Sequence, residues 1–167
     1  DLNPVIIYSK SYLNKDVIPN KSINLLIQDT IKGSYPNDLV NLGMRPQIPD
    51  KKILNYLEKY QNKSFLMMER FNYLRMTPTE FYEKFYIKYI ENFLGIIKYA
   101  KPDMILFSTC PHQPDTYTYY NICKFLNIKT IFTERTLLSN KYFFLETINE
   151  YPNINKDKIK EKNNKNI

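Results

Sequence analysis

Residues 103–133 read DMILFSTCPHQPDTYTYYNICKFLNIKTIFT, and that order leaves few folds open. The segment 103–108 is apolar without alternation and sits between turn signals, the pattern of a parallel strand covered on both faces. Residues 109–115 contain two prolines and read as a loop. Asp115 or Thr116 then caps a helix whose face is Tyr119, Ile122, Cys123 and Leu126, and Asn127 suits a left-handed helix end. A second strand follows at 128–133. Strand, loop, helix and strand within about thirty residues is close to the minimum for a parallel crossover.

The flanking sequence extends this α/β pattern. Short buried strands are expected at 4–8 and 22–28, and residues 33–49, with Pro36, Gly43, Pro46 and Pro49, read as a long loop. Ile53, Leu54, Leu57 and Tyr60 share one face of a helix over 51–60. Ser64 is a candidate cap for another, running to about Arg75, with Met67, Met68, Phe71 and Leu74 as its stripe; a strand at 65–68 competes with it. Thr77-Pro78-Thr79-Glu80 is a capping box with proline at the first helical position. The helix it opens carries Tyr82, Tyr86, Tyr89, Ile90, Phe93, Leu94 and Ile97, and stops near Ala100 before Pro102. After a second loop at 134–140, residues 141–150 form a short amphipathic element. The expected architecture is a Rossmann-like three-layer α/β domain, with strands near 4–8, 23–28, 103–108 and 128–133 in one mostly parallel sheet.

Composition narrows the class. At 167 residues, 43% hydrophobic and 25% charged, the chain supports one domain with a real core, assigned to 1–150. No apolar run approaches the roughly 18 residues of a membrane span. Two cysteines build no disulfide framework, which favours a reducing compartment. The net charge of +7 comes with 20 Lys but only 4 Arg, beside 19 Asn and 20 Ile, a mix that reads as codon bias rather than selection for phosphate binding. Five lysines against two acids in 156–167 supply part of it as a solvated tail, so nucleic acid is not an expected partner. This segment is too charged to offset its ordering entropy and is expected not to pack on the domain. The chain opens on Asp1 with no visible signal peptide, and 151–167 reads as a linker; the expectation is a piece of a longer protein.

Chemistry is expected at the carboxyl ends of the parallel strands, where open α/β sheets bind ligands. Two loops end there. One carries Cys110, His112 and Asp115; the other carries Glu134 and Arg135. His112, the only histidine, can act as a base or bind an anion near a helix N-terminus, or simply fix the turn between Pro111 and Pro114. Asp115 either caps the helix or orients His112. Glu134 and Arg135 form a surface charge pair or hold a sugar or phosphate. Cys110 beside His112 makes a nucleophilic pair conceivable, without a third orienting group. One histidine and two cysteines disfavour a zinc site. With only Gly33, Gly43 and Gly95, no glycine-rich dinucleotide, P-loop or nucleophile-elbow motif exists.

Residues 70–148 also carry a resemblance. A basic helix end (Arg70, Arg75) and a long amphipathic helix precede KPDMILFSTCPHQPDTYTYYNICKFLNIKTIFTERTLLSNKYFFLETI. The Pro-Asp entry to an apolar strand, the run from Asp115 through Lys124, Leu126, Ile128 and Thr130, and the aromatic segment after it carry the likeness. This half of the chain resembles the N-terminal region of bacterial surface-polysaccharide and capsule-biosynthesis glycosyltransferases of the two-Rossmann, GT-B type. The resemblance implies a cytoplasmic enzyme whose N-terminal domain faces a carbohydrate acceptor. A nucleotide-sugar donor would bind mainly to a second, C-terminal domain, without which this piece would be inactive. It places the 109–115 loop on the interdomain cleft. There His112 or Asp115 would deprotonate an acceptor hydroxyl. From their own place on the rim, Cys110, Glu134 and Arg135 are expected to contact substrate, and no metal or cofactor is expected. The competing expectations are a non-catalytic Rossmann-like binding or regulatory module and a basic RNA-associated domain.

Overall fold

A computed structural model describes residues 6–9, 23–26, 40–41, 43–70, 79–135 and 142–148. The chain is α/β. Strands β1 (Ile6–Ser9) and β2 (Ile23–Leu26) pair in parallel, from Ile6 opposite Ile23 to Ser9 opposite Leu26. Helices α1 (Lys51–Arg70) and α2 (Thr79–Ala100) follow. Then come β3 (Met104–Phe107), α3 (Pro114–Phe125), β4 (Lys129–Arg135) and β5 (Tyr142–Leu145). The second sheet has the order β3-β4-β5, with β3 parallel and β5 antiparallel to β4.

The crossover read from 103–133 is present as β3-α3-β4. Helix α3 starts earlier than expected. Its N-cap is Gln113 and Pro114 opens the first turn, because proline's fixed φ suits that position and its missing N–H costs nothing there. Asp115 therefore lies inside the helix rather than capping it. At the other end Asn127 adopts φ 56°, with Ile128 N–H donating to the Cys123 carbonyl at 2.9 Å and Asn127 N–H to the Lys124 carbonyl at 3.3 Å. That is a Schellman ending. Of the expected face, Tyr119, Ile122 and Cys123 are buried, while Leu126 is exposed.

Helix α1 is one continuous helix, not two. Asp50 caps it, its Oδ1 accepting the Ile53 N–H at 2.9 Å. Nothing between Tyr60 and Ser64 breaks a helix, so it runs through the first expected segment, through the competing strand at 65–68 and through the second segment as far as Arg70; the rest of that segment, 71–75, lies outside the described residues. Ser64 is fully buried, its hydroxyl 3.4 Å from that of Thr118 where α1 meets α3. Helix α2 ends at Ala100 as its sequence requires; Thr77 and Pro78 of the capping box lie outside the described residues, as do 156–167.

Helix α3 is the centre of the core. Nine of its twelve residues are buried, because it packs on α1 and α2 as well as on β4. Phe93 of α2 stacks on Tyr119 with centroids 4.1 Å apart, and Tyr120 meets Phe132 of β4 edge-on at 5.1 Å. The Tyr86 hydroxyl donates to the Leu57 carbonyl at 3.0 Å and ties α2 to α1.

Two expectations about the sheet are corrected. Among the described residues the four strands do not share one sheet; β1 and β2 form their own. Nor is β3 covered on both faces. Ile105, Phe107, Thr130 and Phe132 share the face toward α3, whereas Leu106 on the other side is 54% exposed and Phe144 of β5 71%. An unalternating apolar run records what a strand is able to bury, not what lies beside it.

Residues 43–50 have no regular structure, as expected of the loop, and run along α2. Gln47 N–H donates to the Glu91 carbonyl at 2.9 Å, and Lys98 Nζ donates to Gln47 Oε1 at 2.8 Å. Gly95 permits this approach, since a Cβ there would overlap the Arg45 carbonyl oxygen. Gly95→Ala is expected to lower the thermal midpoint by several degrees, the effect of a destabilisation of about 1–3 kcal/mol. An unchanged midpoint would show that 43–50 does not pack on α2.

Candidate functional site

The candidate site forms where β3 and β4 end and α3 begins. The two strands are held together beyond their ladder by Thr133, whose hydroxyl donates to the Ser108 carbonyl at 2.7 Å. The chain then turns through residues 109–113, and the bonds of this turn place the expected residues. Cys110 N–H donates to Glu134 Oε1 at 2.6 Å, so the loops after β3 and at the end of β4 are joined by a charge-assisted bond. The Cys110 carbonyl lies 2.8 Å from His112 Nδ1, and the Thr109 hydroxyl 3.1 Å from the same atom.

That geometry fixes the ring. A carbonyl oxygen only accepts, so Nδ1 carries the proton and donates to Cys110. In the neutral imidazole Nε2 then holds the free lone pair. The imidazole is exposed. Arg70, the last residue of α1, donates from its guanidinium to the His112 carbonyl at 2.8 Å and brings a fixed positive charge to the loop. In sequence Arg70 reads only as a helix end; its reach across 42 positions is a product of α1 running unbroken past Ser64.

The remaining expected residues separate. Asp115 is fully buried in the first turn of α3, beside Tyr119, where burial first and then this carboxylate push the tyrosine's pKa well up. The ring nitrogen of His112 is held instead by the Cys110 carbonyl and the Thr109 hydroxyl. Arg135 pairs with Tyr142 through the strand ladder, and its side chain lies outside the described residues. Among the described residues no group of three or more His, Cys, Asp or Glu side chains could hold a metal. No described helix is long and apolar enough to cross a membrane.

No known family model matches the chain, and no curated protein or solved structure matches it.

Cys110 is half-buried, and its thiol pKa is raised by burial first and then by the Glu134 carboxylate, with Lys63 pulling the other way. Burial pushes Cys123 up to about 12. A raised pKa means less thiolate at a given pH, and the thiolate is the nucleophile. Iodoacetamide at pH 8 should therefore label Cys110 more slowly than a free cysteine, and Glu134→Gln should speed the reaction. Mass spectrometry of the labelled peptides reads both rates. Labelling of Cys110 as fast as free cysteine would contradict this environment and revive a nucleophilic role.

Proposed function

We propose that this chain is the acceptor-side, Rossmann-like part of a glycosyltransferase that moves a sugar from a nucleotide-sugar donor to a carbohydrate acceptor. The observation that carries the reading is the state of His112: an exposed ring held through Nδ1, beyond the carboxyl ends of two parallel strands. That is the position at which α/β sheets of this kind bind their ligands, and the state a general base requires. The link to glycosyl transfer comes from the sequence resemblance over 70–148 and is an analogy at the level of fold and motif.

In this reading Nε2 of His112 takes the proton of an acceptor hydroxyl. The freed oxygen bonds to the anomeric carbon of the donor sugar, and the bond from that carbon to the phosphate oxygen breaks, its electron pair leaving with the nucleotide. Arg70 and the first-turn N–H groups of α3 favour negative charge beside the loop. Glu134 holds the loop through Cys110 N–H, so its work is positioning. Asp115 supports the helix from within. The donor would be held mainly by a second domain, and the 167-residue chain alone would bind acceptor without turnover. The test is a transfer assay on the protein that contains this chain, comparing native sequence with His112→Ala.

A further inference from the structure

Helix α1 carries a second feature that the rim chemistry does not use. At 3.6 residues per turn, Lys52, Tyr56, Lys59, Tyr60, Lys63 and Arg70 fall on one stripe, while Glu58 and Glu69 fall on the opposite face. The four cations of this stripe are exposed. Lys59 Nζ sits 4.4 Å from the centre of the Tyr56 ring and 4.9 Å from that of Tyr60. Lys63 Nζ sits 4.9 Å from the Tyr117 ring of α3, and exposed Lys124 lies 5.2 Å from the Tyr120 ring. The Tyr56 and Tyr60 hydroxyls are 3.4 Å apart. Burial raises Tyr60, but its bonds to Tyr56 and Lys59 and the charges of Lys59 and Lys124 outweigh that and lower it, which places Lys124 in the same field. The stripe is about 27 Å long from its residue count, and its Arg70 end is the one that holds the His112 loop.

From this stripe we infer that the α1–α3 face binds a carboxylated glycan chain. The cations along α1 are separated by seven, four and seven residues, or about 10, 6 and 10 Å. A glycan with one carboxylate per disaccharide presents charge at comparable intervals. Ammonium groups seated over tyrosine rings keep protons for a ligand carboxylate, and the paired hydroxyls face sugar hydroxyls between them. Single-stranded nucleic acid fits less well. It binds by stacking bases on open aromatic faces, and here ring faces already carry lysines. The stripe stands by itself; that the bound glycan is also the acceptor rests on the transferase reading.

The test is binding of a fluorescein-labelled hyaluronan oligosaccharide, which carries one carboxylate per disaccharide, to the 167-residue chain, followed by anisotropy across a salt series. Lys59→Gln/Lys63→Gln/Lys124→Gln should weaken binding about tenfold and flatten its salt dependence. Lys51→Gln/Lys84→Gln/Lys88→Gln removes as much charge from elsewhere and should change affinity less than about twofold. A neutral maltooligosaccharide should not compete. The inference is overturned if the chain does not bind, if both triple variants weaken it equally, if the neutral sugar competes, or if oligo(dT) binds more tightly through the same lysines. Binding that survives alongside a transfer assay without turnover would sink the transferase reading alone.

Discussion

Phe132→Ala is expected to remove a large share of the protein's stability, about 3–5 kcal/mol. Phe132 is fully buried on β4, between Phe107 of β3 and Tyr120 of α3, with ring centroids at 5.6 and 5.1 Å. Truncating a ring in such a site removes its transfer energy and leaves a cavity that the β3-β4 ladder cannot close, at a cost of about 3–5 kcal/mol. Whole domains are stable by only about 5–15 kcal/mol. Leu106→Ala, on the open face of the same sheet, is the matched control and should cost less than about 1 kcal/mol. Urea denaturation reads both. A Leu106→Ala loss as large as that of Phe132→Ala would show that the open face is covered after all.

The second large effect is on chemistry. His112→Ala should cut turnover of the protein containing this chain by about 100-fold or more, with its denaturation midpoint little changed. The ring is exposed, and the bonds it makes are to its own loop, so it adds little to the core. His112→Gln should not rescue it, since an amide cannot take the proton. Loss of folded protein on substitution would instead assign His112 to the turn between Pro111 and Pro114.

The sequence conveyed local geometry well and layering poorly. Pro114 and Asn127 bracket α3 because each has a backbone preference that acts without tertiary help, although reading Asp115 or Thr116 as the cap puts the start two or three residues late. Ala100 ends α2 for the same kind of reason, with Pro102 two residues beyond. Ser64 misled because a serine within a hydrophobic pattern reads as a cap, whereas here its small size lets α1 approach Thr118. Residues 142–145 gave no sign of joining β4, since four apolar residues carry no period that separates strand from helix. Strand partners are likewise not written in strand sequences, and β1 and β2 pair with each other rather than with β3. At the site, the placement of His112 after β3 and before α3 was legible. Its orienting group was not, because the partner is a backbone carbonyl and a carbonyl has no sequence signature. Arg70 was missed because its role depends on the full length of α1.

Whether His112 is the base of a sugar transfer is tested most directly by a nucleotide-release assay. The protein containing this chain would be given a panel of nucleotide sugars with and without carbohydrate acceptors, once with the native sequence and once with His112→Ala. Release that requires both donor and acceptor, and that falls about 100-fold in the variant, is the expected result. Folded protein that turns over no donor–acceptor pair in the panel, or a variant that releases nucleotide at the native rate, would contradict it.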